Sequence, residues 1–274
     1  MILTGSKLMS LRFLLLICVL LGSLPAIAQK DRSYTARDQL NQGVASYRAA
    51  DYEGAIEHFN LAVHWDPELT VGHLYLATAY AQQYVPGVET PENVAMATNA
   101  VEQYNEVLRR DPTSITAVKG IAYLNMQMKH FEEAKKGYER AAAIDDKDPE
   151  NFYSVGVIDW TIVYRNVTEE KGKLKSKSEY ALMLSSACSG TREENLSTLE
   201  DGIAMLTKAI DLRKNYDDAM AYLNLLYRLR ADLECKDKVA HAADIRQANQ
   251  WSDLAMAARK RNAEKDQGVS DSPR

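Results

Sequence analysis

The sequence predicts an all-α fold of about five helix–turn–helix units stacked as a solenoid, and three observations carry that expectation. Small residues recur at one spacing: Gly43 and Ala77 lie 34 residues apart, and so do Ala122 and Gly156. Aligned on them, "LNQGVASYRAADYEGAIEHFNLAVHWDP" (40–67) matches "KGIAYLNMQMKHFEEAKKGYERAAAIDD" (119–146) column by column, pairing Tyr52 with Phe131, Ala55 with Ala134, Phe59 with Tyr138 and Ala62 with Ala141. A period of this length marks a unit that cannot bury its apolar face alone and stacks on its neighbours. The composition, 46% hydrophobic and 26% charged, is that of a soluble chain able to bury a sizeable core.

The N-terminus reads as separate from the fold. Lys7 and Arg12 precede the apolar run "FLLLICVLLGSL" (13–24), and Ala26 and Ala28 form a small-x-small cleavage site before Gln29. This is the pattern of a secretory signal peptide spanning 1–28, followed by a linker at 29–35. The run is shorter than the roughly 20 apolar residues of a membrane span; an uncleaved anchor is the alternative. Cys18 follows Ile17, where a lipoprotein signal needs a small residue. Cleavage would leave 31 basic against 38 acidic residues, a net charge of −7, and no integral span. Such a balance gives no support to a nucleic-acid partner, which would favour a basic face.

Pro67 and Pro112 close two units and Pro149 opens a fourth. Together with the small residues at 43, 77, 122 and 156, facing Ala55, Ala100, Ala134 and Gly202, these positions resemble the tetratricopeptide repeat (TPR) family. The likeness covers about 36–230 well and 231–260 loosely. It implies a right-handed α-solenoid with units at 36–69, 70–114, 115–148, 149–216 and 217–262. The first and third have the standard length. The second has 45 residues, 11 more than the standard, and the extra ones fall at "VPGVETPEN", where Pro86-Gly87 signals a turn and Thr90-Pro91 a helix cap. The fourth is expected to have its first helix at about 150–163 and its second at 199–213, separated by an insertion of some 34 residues. In the fifth, Asn224 replaces the small crossing residue and a long second helix covers about 238–260, so this hairpin reads as a terminal cap; the polar segment 263–274 is expected to be disordered.

Enlarged turns inside successive hairpins emerge on one edge of a stacked array, which points to a binding edge or to tolerated loop growth. Export would leave Cys188 and Cys235, one in the fourth insertion and one in the fifth turn "LECKDK", as a disulfide candidate or as two free thiols. Lys171, Lys173, Lys175 and Lys177 alternate through "KGKLKSK", either as a solvated loop or as a contact for an anionic surface. "NVT" at Asn166 and "NLS" at Asn195 are formal glycosylation acceptors.

The TPR resemblance also implies that the first helix of each hairpin lines an inner, concave face where partners bind as peptides. Carried over by position, it places Tyr47 and Arg48, Thr78 and Gln82, Lys119, Tyr123 and Gln127, Tyr153, Val157 and Trp160, and Arg228 on that face. Tyr, Trp and Arg are the residues of interaction hot spots, although aromatics at helical spacing also serve plain packing. The carboxylate clamp of one TPR subset is not matched: Lys119 fits, but Tyr123 stands where its Asn partner belongs, and Asn41 has no basic partner.

Nothing argues for catalysis. The sequence has no glycine-rich phosphate loop, H-E-x-x-H or G-x-S-x-G. His58 and His64 fall on opposite faces of one helix, His73, His130 and His241 are scattered, and Asp159 beside Trp160 reads as a buried ion-pair member. The expectation is a non-enzymatic, cofactor-free scaffold of the bacterial cell envelope, periplasmic or secreted and a monomer or weak oligomer. It binds an envelope protein or peptide through the concave groove or the insertion edge. The alternative is an accessory protein holding a small molecule or glycan in a pocket closed by the insertions.

Overall fold

The computed structural model of the chain describes residues 32–174, 178 and 180–270, with side chains to 265. The signal segment 1–28, the linker up to residue 31, Lys175, Lys177 and residues 271–274 lie outside the described residues. The described residues are all-α: α1 (32–48), α2 (Tyr52–Trp65), α3 (Thr70–Gln83), α4 (Pro91–Arg110), α5 (Ile115–Gln127), α6 (Phe131–Ile144), α7 (Pro149–Lys173), α8 (Cys188–Leu212), α9 (Asp217–Asp232) and α10 (Lys238–Ser270). They pair into five helix–turn–helix hairpins. The chain divides into two compact bodies, one ending at Gly120 and one beginning at Ile121, so the division falls inside α5.

In the N-terminal body, α1 is already helical at residue 32, inside the expected linker, with no Pro or Gly between there and the buried Ala36 to interrupt it. The repeat logic holds at atomic distances. A Cβ on Gly43 would stand 2.5 Å from the Phe59 ring, and one on Gly120 would stand 2.5 Å from the Tyr104 ring. Phe59, Ala55, Leu76 and Ala79 form the core between the first two hairpins. Buried His73 is satisfied by Gln103 Oε1 at 2.7 Å and the Pro67 carbonyl at 2.9 Å.

The regular turns are three residues long, and each has one residue in the left-handed region: Ala50 (φ 60°) and Lys129 (φ 63°). That conformation lets Asp51 N–H donate to the Ser46 carbonyl, and His130 N–H to that of Asn125, closing the end of the preceding helix. The enlarged turn of the second hairpin works differently. Thr90 caps α4 with Pro91 at its first position, and Gly87 takes φ 80°. Asn93, 9% exposed, then staples the loop: its Oδ1 accepts from Val85 N–H (2.8 Å), and its Nδ2 donates to the carbonyls of Val85 (2.9 Å) and Val88 (2.7 Å). The other added residues lengthen α4 to 20, against 14 in α2.

In the C-terminal body, Ala122 and Gly137 approach so closely that a Cβ on the glycine would lie 2.7 Å from the alanine's, and Gly156 meets Leu206 at 2.5 Å. Ala122 thus meets Gly137, about one turn beyond the aligned Ala134, whereas Gly156 faces Gly202 as the alignment implied, a Cβ on Gly156 lying 3.2 Å from the Gly202 carbonyl oxygen. The expected 34-residue insertion is largely helix. α7 runs to Lys173, α8 starts at Cys188, and only 174–187 separates them. The extension holds because it buries an apolar seam: Val163 and Val167 on α7, Leu199 on α8, and Leu182 from the connection. Lys171 and Lys173 therefore sit on the last turn of α7, a helix end that favours cations, where Lys171 pairs with Asp232 at 2.6 Å and Lys173 pairs with Glu169 and Glu170. The expected tail is also helical as far as Ser270. α10 is anchored there by buried Ala255 and Ala258 and by Asn262 Nδ2 donating to the Asn215 carbonyl at 3.1 Å.

Candidate functional site

Two features of the C-terminal body stand out, an aromatic face on α7 and α9 and the tied tip of the fourth hairpin. The face arises because α7 and α9, the first helices of successive hairpins, pack against each other. Tyr153 and Trp160 are two turns apart on α7, and Tyr222 of α9 sits edge-on to both, with ring centroids 5.8 and 5.2 Å away. Tyr216 extends the row past Tyr153 (5.0 Å), and Tyr164, 48% exposed, stacks on Trp160 at 5.0 Å and 22°. The row is fixed at its far end. Tyr216 donates to Glu150 Oε2 (2.6 Å), and Arg213 lies 4.3 Å above the Tyr216 ring while bonding Glu150 Oε1 (2.7 Å). Burial raises the Tyr153 and Tyr216 phenols well above their ordinary range, so neither ionises at physiological pH.

The other inner-face residues distribute unevenly. Arg228 does not join the row; its Nε bonds Asn224 and its Nη2 bonds Asn249 of α10, both at 2.9 Å. Tyr123 is 48% exposed on α5 and Lys119 is half-buried. Tyr47 packs edge-on to Tyr52 at 5.2 Å, and both burial and the nearby Tyr52 raise its phenol. Arg48 and Gln82 are exposed at helix ends. Sequence reasoning missed three members of the row. Tyr216 precedes α9 and so lies outside the helix expected to face inward. Tyr164 falls in what reads as an insertion, and Tyr222 stands two residues ahead of the crossing position Asn224, off the inward column.

Below this face, Asp159 is fully buried where α7 meets α8. Lys135 of α6 donates to Asp159 Oδ1 (2.7 Å) and Asp201 Oδ2 (2.6 Å), whereas Asp159 Oδ2 has no partner among the described residues. Burial pushes the Asp159 carboxyl up to about 7 despite Lys135. Burial lowers the Lys135 pKa, but its two carboxylate bonds outweigh this and hold it raised. Among the described residues no group of three His, Cys, Asp or Glu side chains could hold a metal ion, and no helix is long and apolar enough to cross a membrane.

The tip of the fourth hairpin is bound to the 232–237 turn by several links. Cys188 and Cys235 form a disulfide with Cα atoms 5.6 Å apart. Arg192 bonds Glu234 (2.9 Å) and the Leu233 carbonyl (3.0 Å), and Lys236 N–H donates to the Met183 carbonyl (3.1 Å). A cavity of about 290 Å³ opens beside these ties, lined by Tyr180, Met183, Leu184, Lys238, His241 and Ala242 rather than by Tyr153, Trp160 and Arg228. The two glycosylation motifs are structural: Asn166 Nδ2 donates to Asn195 Oδ1 (2.9 Å), and Asn195, 1% exposed, donates to the Thr191 carbonyl (2.8 Å).

No protein-family model matches the chain, and no curated protein does. Solved structures do. The crystal structure of MamA protein aligns with a TM-score of 0.57 at 14% identity, covering 84% of this chain and 94% of that one. MamA (41-end) from Desulfovibrio magneticus RS-1 gives 0.56 at 15%, covering 82% and 96%. YrrB, a TPR protein with an unusual peptide-binding site, gives 0.52 at 12%, covering 86% and 97%. At such identities the likeness establishes the fold, and that fold is the tetratricopeptide repeat.

Proposed function

We propose that this TPR-fold chain is a non-enzymatic scaffold of the bacterial cell envelope that binds a partner protein or peptide across its α7–α9 aromatic face. The row formed by Tyr153, Trp160, Tyr164 and Tyr222 carries the reading. It presents large, rigid, partly exposed rings that lose little side-chain entropy on binding, the usual make-up of an interaction hot spot. YrrB, of the same fold, has a peptide-binding site, which supports the reading by analogy. Export is supported by the leader pattern in 1–28 and by the Cys188–Cys235 bridge, a bond at home in oxidising compartments.

Photo-crosslinking tests the site. A benzophenone amino acid at position 164 should capture a discrete envelope protein in cells, and Trp160→Ala in the same chain should abolish capture. The same probe at Val239, 79% exposed on the insertion edge, is the control. Capture from 239 alone would transfer the partner to that edge and sink the aromatic-face assignment.

A further inference from the structure

The cavity at the tip of the fourth hairpin is built from two segments that the disulfide joins. Tyr180, Met183 and Leu184 precede Cys188, while Lys238, His241 and Ala242 follow Cys235. Its walls differ in chemistry. Met183, 2% exposed, and Leu184 supply an apolar side, and Tyr180 stands 5.1 Å from the His241 ring. His241 is 9% exposed, and its ring lines the cavity. Lys238, an exposed cation at the start of α10, lines the same wall.

Among the described residues, the carboxylates just before Lys238 in the chain are already engaged. Asp237 Oδ1 accepts from Val239 and Ala240 N–H (3.0 Å each) as the cap of α10, and Glu234 is held by Arg192. The polar side of the cavity therefore offers donors and positive charge beside an apolar, aromatic wall.

We infer that this cavity binds a carboxylate carried on a short apolar or aromatic group, with the anion at Lys238 and His241 and the apolar part against Met183, Leu184 and Tyr180. A volume near the lower end of ligand pockets, which run from about 300 Å³, admits one ring or a short chain. The carboxylate can come from a free organic acid or from the C-terminal residue of a peptide. This site is separate from the aromatic face and stands or falls independently of it.

The test is calorimetric titration of the full oxidised chain with 3-phenylpropionate, 3-phenylpropan-1-ol, and the tripeptide Ala-Ala-Phe as acid and as amide. The acid should bind saturably, and the alcohol roughly tenfold more weakly, as expected for losing one charged hydrogen bond. Lys238→Met and His241→Leu should each weaken the acid by a similar factor. Ala242→Trp should abolish binding; residue 242 is exposed, so this variant fills the space without disturbing a core. Tighter binding of the tripeptide acid than of 3-phenylpropionate assigns a peptide terminus; the reverse assigns a small acid. No saturable binding of either acid, equal binding of the alcohol, or an Ala242→Trp variant that binds like the parent overturns the inference.

Discussion

The second and fourth hairpins both exceed the regular repeat, and they accommodate the excess differently. In the second, a seven-residue loop (84–90) is held from inside by one side chain, Asn93, which answers three backbone groups. In the fourth, both helices grow, and their tip is held from outside by the next hairpin's turn through a disulfide, Lys171–Asp232 and Arg192–Glu234. Short turns need neither device, because one left-handed residue reverses the chain. A hairpin that loses that reversal must find another constraint, and its scale follows the length inserted: one amide suffices for a loop, whereas two projecting helix ends require a neighbour.

The strongest way to break this contrast is to cut the outside tie. Cys188→Ser with Cys235→Ser should lower stability by roughly 3–4 kcal/mol by the chain-entropy estimate for a 47-residue separation. Denaturant melts with and without reductant measure it; parent and variant melting alike would show that the tip holds without the bond. The inside tie comes next. Asn93→Ala should cost about 2 kcal/mol by stranding part-buried backbone groups of Val85 and Val88. Hydrogen exchange should speed up in 84–90 first, and uniform loss of protection would contradict a local staple.

A third difference lies where the helices meet: the fourth hairpin buries Asp159 between α7 and α8, whereas the second buries no carboxyl among the described residues. The Asp159 pKa in the fold, about 7, stands above its ordinary 3.8, so the folded chain holds the proton more tightly than the unfolded one. The stability this contributes is complete below about pH 4 and is lost as pH rises through 7. Relative to Asp159→Asn, the parent should lose about 1 kcal/mol between pH 6 and 7 in urea melts. A gap that is flat or widens in the parent's favour would reverse the reading. The smallest effects belong to the turns themselves. Ala50→Gly relieves a left-handed alanine and should stabilise by about 0.5–1 kcal/mol, while Gly87→Ala, in open space at φ 80°, should cost a similar amount. Equal signs for the pair would mean that backbone strain does not set these turns.

The repeats were legible because close helix approach demands small residues at fixed intervals, and Gly43, Ala77, Ala122 and Gly156 display that interval openly. The extension of α7 and α8 was not. An alignment on a 34-residue unit assigns everything outside its columns to loop, and the seam there is partly polar. Yet Cys188, Thr191, Asn195, Leu199, Gly202 and Leu206 follow one another at steps of three and four, and all are buried. Reading Thr191 and Asn195 as seam residues would have extended α8 back to Cys188. The cavity had no signal of its own: Met183 and His241 are 58 residues apart, and only the fold juxtaposes them.

The Cys188–Cys235 bond also governs what a protease can release. Cleavage at any peptide bond between those two positions leaves both fragments on one covalent skeleton, migrating together until a reductant is added. Cleavage in 84–90 or 174–187 falls outside that bracket and frees the fragments at once on denaturation.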